Sequence, residues 1–315
     1  MILAFRFVAS KARGMFRPAA RPIPADFPCC ARAAPVTMDF FVIKDSARIK
    51  DADRATGSAG RRLAVELGPS TRGVPCVLLH PFPFNRRFFA DTARGIEARA
   101  RTIVPDLRGF GDSDPGDGPF SIADLADDVA ALLDQLQIDR AVLVGLSMGG
   151  YVALAFAARH ARRLRGLVLA DTRAGADSPE ARAGRESALR VLGEQGATGL
   201  LEAQLPKLLA PGASDEVHAR ARALGEPRAA TLATAIAALR DRPDRRAELP
   251  AIPCPTLVLV GTEDAITPPS EAAVLATTIP RAVLVELPGA GHLSSLEAPA
   301  PFTQALLGFL GRADG

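Results

Sequence analysis

A chain of 315 residues that is 48% apolar and 23% charged has the composition of a globular protein, with length for one large core or for a core and an appendage. Its net charge of +3 is small and its Lys and Arg residues are dispersed, so nucleic acid is not an expected partner. No run approaches ~18 uninterrupted apolar residues, so no membrane-spanning helix is expected.

Residues 1–37 differ in kind from the rest. Arg6, Lys11, Arg13, Arg17, Arg21 and Arg32 face a single acid, Asp26, while Pro18, Pro22, Pro24, Pro28 and Pro35 interrupt any helix. The apolar run from Ile2 to Val8 is broken by Arg6 and is short for a targeting segment. The expectation is a basic, disordered extension; a start of synthesis at Met38 and a functional basic arm are the alternatives. Cys29, Cys30, Cys76 and Cys254 form no C-x-x-C pair and no metal spacing with histidine. Cys76 and Cys254 adjoin strand-like runs and read as buried thiols, which fits a reducing cytoplasm.

The first β-like pieces, Phe40–Ile43 and Leu63–Leu67, suit an antiparallel edge. Further strands are expected at Cys76–Leu79, Arg101–Val104, Ala141–Val144, Gly166–Leu169, Thr256–Val260 and Ala282–Leu287. Most are continuous Val/Leu/Ile runs, as strands read when both faces of a parallel sheet are covered. Helical stretches such as Ile122–Leu136 and Met148–Arg159 are long enough for right-handed crossovers, and Ser121 with Asp124 suits the start of the first. From 174 to 249 the alternation stops. This stretch is rich in Ala, Arg and Glu, has helical periodicity, and is cut by Pro179, Gly193, Gly196, Pro206, Pro211 and Pro227. A helical insert between two strands of one sheet reads as a cap over the strand ends. The implied division is a core of 38–173 and 250–315 with a cap of 174–249.

Ala141–Val144 leads into Gly145-Leu146-Ser147-Met148-Gly149-Gly150 and then a helical run, which is a G-x-S-x-G sequence between a strand and a helix. A serine at the tip of so sharp a turn needs a strained backbone and small residues two positions either side. Its Oγ is then exposed, and the N–H of Met148 stands at the helix start, where a developing oxyanion is stabilised.

With His80-Pro81-Phe82-Pro83, Asp106-Leu107-Arg108-Gly109-Phe110-Gly111-Asp112-Ser113, Gly261-Thr262-Glu263-Asp264 and Gly289-Ala290-Gly291-His292, residues from about 60 to 311 resemble an α/β-hydrolase with a helical cap. The resemblance implies a mostly parallel central sheet with helices on both faces. It is nearest to the serine-nucleophile branch, such as bacterial 3-oxoadipate enol-lactonases and carboxylesterases.

Serine needs a neighbouring imidazole to remove its proton. Of four histidines, His160 lies far along the helix after the turn, His218 falls in the insert, and His80 ends a strand beside another loop. His292 follows a strand and a Gly-Ala-Gly turn, the position from which the family presents its base. Two aspartates follow strands, Asp171 and Asp264. The acid-loop resemblance and the order Ser, Asp, His favour Asp264. Asp171 stays open as an alternative acid, and otherwise as an anchor for the cap with Arg173.

Relatives carry His-Gly-x-Pro in the loop after the first central strand, and residue x donates its N–H to the oxyanion. That implies Phe82 as the second donor beside Met148. Here Pro81 replaces the glycine, which stiffens the loop and admits a cis peptide before one proline. Phe88 and Phe89 read as core, and Phe84 as a pocket wall. Arg108 and Asp112 read as structural.

The expected function is hydrolysis of a small-molecule ester or lactone through an acyl-enzyme on Ser147, with His292 as base, Asp264 as orienting acid, and no metal or organic cofactor. Arg182, Arg185 and Arg190 in the insert suit either a carboxylate-bearing substrate or a solvated helix face. The alternatives are a cofactor-free perhydrolase or haloperoxidase-like activity, and a non-catalytic ligand receptor on the same fold. Oligomeric state is not legible.

Overall fold

The computed structural model describes residues 37–43 and 61–313. The basic extension therefore lies outside the described residues except for Thr37, which opens the first strand. Cys29 and Cys30 lie outside them as well.

The strands are β1 (Thr37–Ile43), β2 (Arg61–Leu67), β3 (Val74–Leu79), β4 (Ala100–Pro105), β5 (Ala141–Leu146), β6 (Leu164–Ala170), β7 (Thr256–Gly261) and β8 (Ala282–Leu287). They form one sheet in the order β1-β2-β4-β3-β5-β6-β7-β8. The β1–β2 and β2–β4 pairs are antiparallel, and every other pair is parallel. Every strand expected from the sequence is present. The antiparallel edge falls where Phe40–Ile43 and Leu63–Leu67 suggested it.

Helices α1 (Ala90–Ile96), α2 (Ile122–Gln135), α3 (Met148–His160), α7 (Pro269–Thr278), α8 (Ser294–Glu297) and α9 (Pro299–Ala313) belong to the same body. Two apolar cores sandwich the sheet. Ala141 and Leu143 of β5 pack into one with Leu125, Val129, Val152 and Phe156 of α2 and α3. Val142, Val144 and Leu146 pack into the other with Ile96, Phe302, Leu306 and Phe309 of α1 and α9. Covering on both faces is why β5 is apolar at successive positions. Helix α2 starts on a reciprocal cap: Ser121 Oγ accepts the Asp124 N–H at 3.2 Å, and Asp124 accepts the Ser121 N–H at 2.7 Å. Cys76 and Cys254 are buried free thiols, pushed up by burial to about 12 and about 11.

Between β6 and β7 lie α4 (Pro179–Leu208), α5 (Asp215–Leu224) and α6 (Ala229–Arg240), with no strand among them. Gly196, at φ 68°, kinks α4, and that conformation is why glycine is there. Asp177 ties the two ends of this insert together. Its fully buried carboxylate accepts from Arg242 at 2.7 Å, Arg173 at 3.0 Å and Arg185 at 3.1 Å. Arg242 also stacks 4.1 Å from the Tyr151 ring centre. Although burial pulls Asp177 upward, Arg185 and Arg242 hold its carboxyl below the ordinary range. Removing one partner of such a cluster leaves buried like charges facing one another. Asp177→Ala is expected to cost about 3–5 kcal/mol, read as a drop in the urea unfolding midpoint.

Candidate active site

Strand β5 enters α3 through Ser147, whose backbone sits at φ 53° and ψ −112°. That left-handed conformation is costly for a residue with a Cβ and has to be held by its surroundings. The Ser147 N–H donates to Ala170 O at 2.9 Å, and Ser147 O accepts from Gly150 N–H at 2.9 Å and Thr172 Oγ1 at 3.0 Å. A Cβ on Gly149 would stand 1.9 Å from Leu79 O, and one on Gly145 2.2 Å from Gly149 O. Both positions admit only glycine.

His292 Nε2 lies 2.8 Å from Ser147 Oγ, and its Nδ1 lies 2.9 and 3.0 Å from the two Asp264 oxygens. An ionised Asp264 accepts the Nδ1 proton, which leaves Nε2 to accept the serine hydroxyl. Asp264 also accepts from the N–H groups of Ile266 (2.8 Å) and Thr267 (2.9 Å) and from Thr267 Oγ1 (2.7 Å). Burial alone would raise its pKa, but His292 and the Thr267 bonds outweigh burial and hold the carboxyl below its usual range.

Asp171 is fully buried at φ 45° and bonds elsewhere, to Gly261 N–H at 2.9 Å and to the Ser294 hydroxyl. Burial and the charge on Asp264 push its carboxyl well above the ordinary range. The arrangement thus favours a single negative charge, located on Asp264. The expected link between Asp171 and Arg173 is absent: Arg173 pairs with Asp177 instead.

Met148 is the first residue of α3, so its N–H has no partner within the helix, and it stands at the positive end of the helix dipole. Phe82 is buried, and the Phe82–Pro83 peptide is cis. Pro81 O accepts the Phe84 N–H at 3.0 Å and His80 Nδ1–H at 3.2 Å, while His80 Nε2 accepts Leu107 N–H at 3.1 Å. Burial brings His80 down to about 4, so the ring is neutral with its proton on Nδ1. His80 orients this loop. Phe84 departs from expectation: it is wholly buried with its ring 5.2 Å from Phe88, and it presents no surface to a pocket. Phe88 and Phe89 are core, as expected.

The alpha/beta hydrolase fold family matches residues 74–299. The chain belongs to this family. It is 32% identical over 208 residues to 3-oxoadipate enol-lactonase 2 of Acinetobacter baylyi, spanning 65% of this chain and 76% of that one. A thermophilic esterase from Thermogutta terrifontis superposes with TM-score 0.77 at 39% identity, covering 82% of this chain and 96% of that one. The enol-lactonase from Burkholderia xenovorans LB400 gives TM-score 0.72 at 31% identity, covering 80% and 97%.

Within this hydrolase framework the remaining expected residues take structural places. Arg108 grips Asp128 of α2 at 2.7 and 2.8 Å, and Asp112 bonds Arg86 at 2.7 Å. His160 pairs with Asp127 at 2.7 Å, and His218 leans on Ser214 O at 3.1 Å. Of the insert arginines, Arg185 is held by Asp177, Arg182 stands 3.6 Å from Asp241, and Arg190 is exposed. Among the described residues no His, Cys, Asp and Glu cluster is arranged to hold a metal ion. No described helix is long and apolar enough to cross a membrane.

Sequence reading missed Glu226. Its buried carboxylate accepts Gly111 N–H at 2.7 Å, Arg228 N–H at 3.1 Å and Arg228 Nε–H at 3.0 Å. Its own N–H donates to Pro83 O at 2.8 Å, and Gly225 pairs with Phe84 in an antiparallel bridge. The insert is thereby strapped to the Phe82 loop. No motif marks this residue, since Gly111 and Pro83 lie more than a hundred positions away in the chain.

Proposed function

We propose that this α/β hydrolase is a serine hydrolase that cleaves carboxylic esters or lactones through an acyl-enzyme on Ser147. The observation that carries the proposal is the unbroken hydrogen-bond chain from Ser147 Oγ through His292 to Asp264, ending at a serine held in strained backbone. In this mechanism His292 Nε2 takes the hydroxyl proton as Oγ attacks the carbonyl, and Asp264 stabilises the imidazolium that forms. The N–H groups of Met148 and Phe82 receive the oxyanion. The imidazolium then protonates the leaving alcohol, and water enters by the same route to release the acid. For a lactone, the freed alcohol remains part of the acyl chain, and the second step releases one hydroxy acid.

The named esterase and enol-lactonases at 31–39% identity support ester and lactone carbonyls as substrates. We further assign residues 174–249 as a cap over the strand ends. Ser147 is only 8% exposed beneath its surroundings, which favours small acyl groups. The partner is accordingly a small molecule.

The test is a fluorophosphonate probe on the native protein, followed by peptide mass analysis and a series of p-nitrophenyl esters and enol-lactones. Labelling is expected on Ser147, with turnover falling as the acyl chain lengthens. Intact, folded protein that resists the probe would sink the proposal.

A further inference from the structure

Glu297 closes α8, five positions beyond His292, and is half-buried. Its Oε1 accepts the Leu293 N–H at 3.1 Å, and its Oε2 accepts the Ala210 N–H at 2.7 Å. A Cβ on Gly291 would stand 3.0 Å from the same Oε1, so this oxygen also lies against the backbone before His292. Gly291 and Leu293 are the two chain neighbours of His292, whereas Ala210 belongs to the segment leaving α4. The two segments also meet directly. Leu293 N–H donates to Leu208 O at 3.2 Å, and a Cβ on Gly291 would stand 2.4 Å from Ala210 N.

A single carboxyl therefore bonds the backbone just after the imidazole, packs against the backbone just before it, and fastens both to the end of α4. Other bonds brace the ends of the loop, Gly289 N–H to Thr262 Oγ1 at 2.9 Å, Glu263 N–H to Ala290 O at 2.9 Å and the Ser294 hydroxyl to Asp171, while at the ring Asp264 restrains only Nδ1. Nothing in the proposed proton transfers uses Glu297. Charged acceptors make the stronger hydrogen bonds, and several N–H donors aimed at one carboxylate favour its ionised form. Burial pulls the other way and raises Glu297 above the usual carboxylate range, with the N–H bonds to it opposing.

We propose that Glu297 is a positioning residue for His292, holding the base loop against the 208–210 segment so that Nε2 stays within reach of Ser147 Oγ. This rests on His292 being the base of the reaction proposed above. A misplacement of about 1 Å in such a site costs about 10²-fold in rate. Glutamine at 297 keeps the size but turns an NH₂ group toward donors, so at least one of the N–H bonds is lost.

The experiment compares the full-length protein with Glu297→Gln in two readouts. The first is steady-state kinetics on a short p-nitrophenyl ester. The expected result is a kcat lowered about 10- to 100-fold with KM changed by less than about threefold, in protein that still unfolds cooperatively. The second does not depend on turnover: the low-field proton resonance of His292 Nδ1–H, identified by its loss in His292→Gln. It is expected to be sharp in the unmodified protein and broadened or lost in Glu297→Gln. An unchanged resonance with kcat within twofold overturns the proposal, as does absence of the resonance from the unmodified protein. If the unmodified protein hydrolyses no ester or lactone while the resonance still depends on Glu297, the hydrolase reading fails and the positioning role stands.

Discussion

Ser147→Ala is expected to lower kcat by about 10⁴-fold or more toward the best p-nitrophenyl ester. The loss is large because the serine, the imidazole and the carboxylate act as one unit: without Oγ, His292 has no nucleophile to activate except water. Residual catalysis of about 10³–10⁴ over water would come from the oxyanion donors and substrate binding alone. KM is expected to change little, since the hydroxyl contributes mainly after attack begins. The fold should be unaffected. The strained backbone at 147 is held by Ala170 O, Gly150 N–H and Thr172 Oγ1, none of which needs the serine side chain. Saturation kinetics alongside a urea melt would separate the two effects, and a loss of tenfold or less would remove Ser147 from the mechanism.

What the sequence made legible was local. The strand–turn–helix setting of Ser147 lies within one short stretch, and glycine is needed at 145 and 149 because a Cβ at either would stand about 2 Å from a backbone oxygen. The strands were legible because cover on both faces makes them apolar at successive positions, as β5 shows. Pairing His292 with Asp264 rested on elimination and on likeness to a family, because 28 residues separate them and only the sheet brings them together. Phe84 was misassigned because apolarity does not distinguish a pocket wall from a core side chain. Glu226, Glu297 and Asp177 gave no signal either. Each is a lone acid in an ordinary context, and its role comes from backbone N–H groups or arginines delivered by distant segments. The acid after β6 was legible as a candidate, while its actual partners, Gly261 and Ser294, were not.

Two carboxyls near one imidazole make opposite predictions when each is changed to asparagine. Asp264→Asn is expected to lower kcat by about 10³–10⁴-fold. The new amide donates to Nδ1 and stabilises the tautomer whose proton sits on Nε2, which then cannot accept the Ser147 hydroxyl. Asp171→Asn is expected to keep kcat within about tenfold, because Asp171 bonds Gly261 and Ser294, not His292, and its raised pKa favours a neutral group of the same shape. Stability should separate them as well. As pH rises above the ordinary carboxylate range, unfolded Asp171 loses its proton while folded Asp171 keeps it. The unfolded state then binds fewer protons, so this group's contribution makes stability fall with rising pH until the folded carboxyl also ionises. The amide of Asp171→Asn does not titrate. The unmodified protein should therefore lose stability relative to Asp171→Asn between about pH 4 and the raised pKa, read from urea midpoints across that range. Asp264, whose pKa is depressed, behaves oppositely: its contribution is present above the ordinary range and is lost as pH falls through the lower value. If Asp171→Asn abolished turnover while Asp264→Asn spared it, the acid would be the one after β6, and the negative charge would have to move across the site to reach His292.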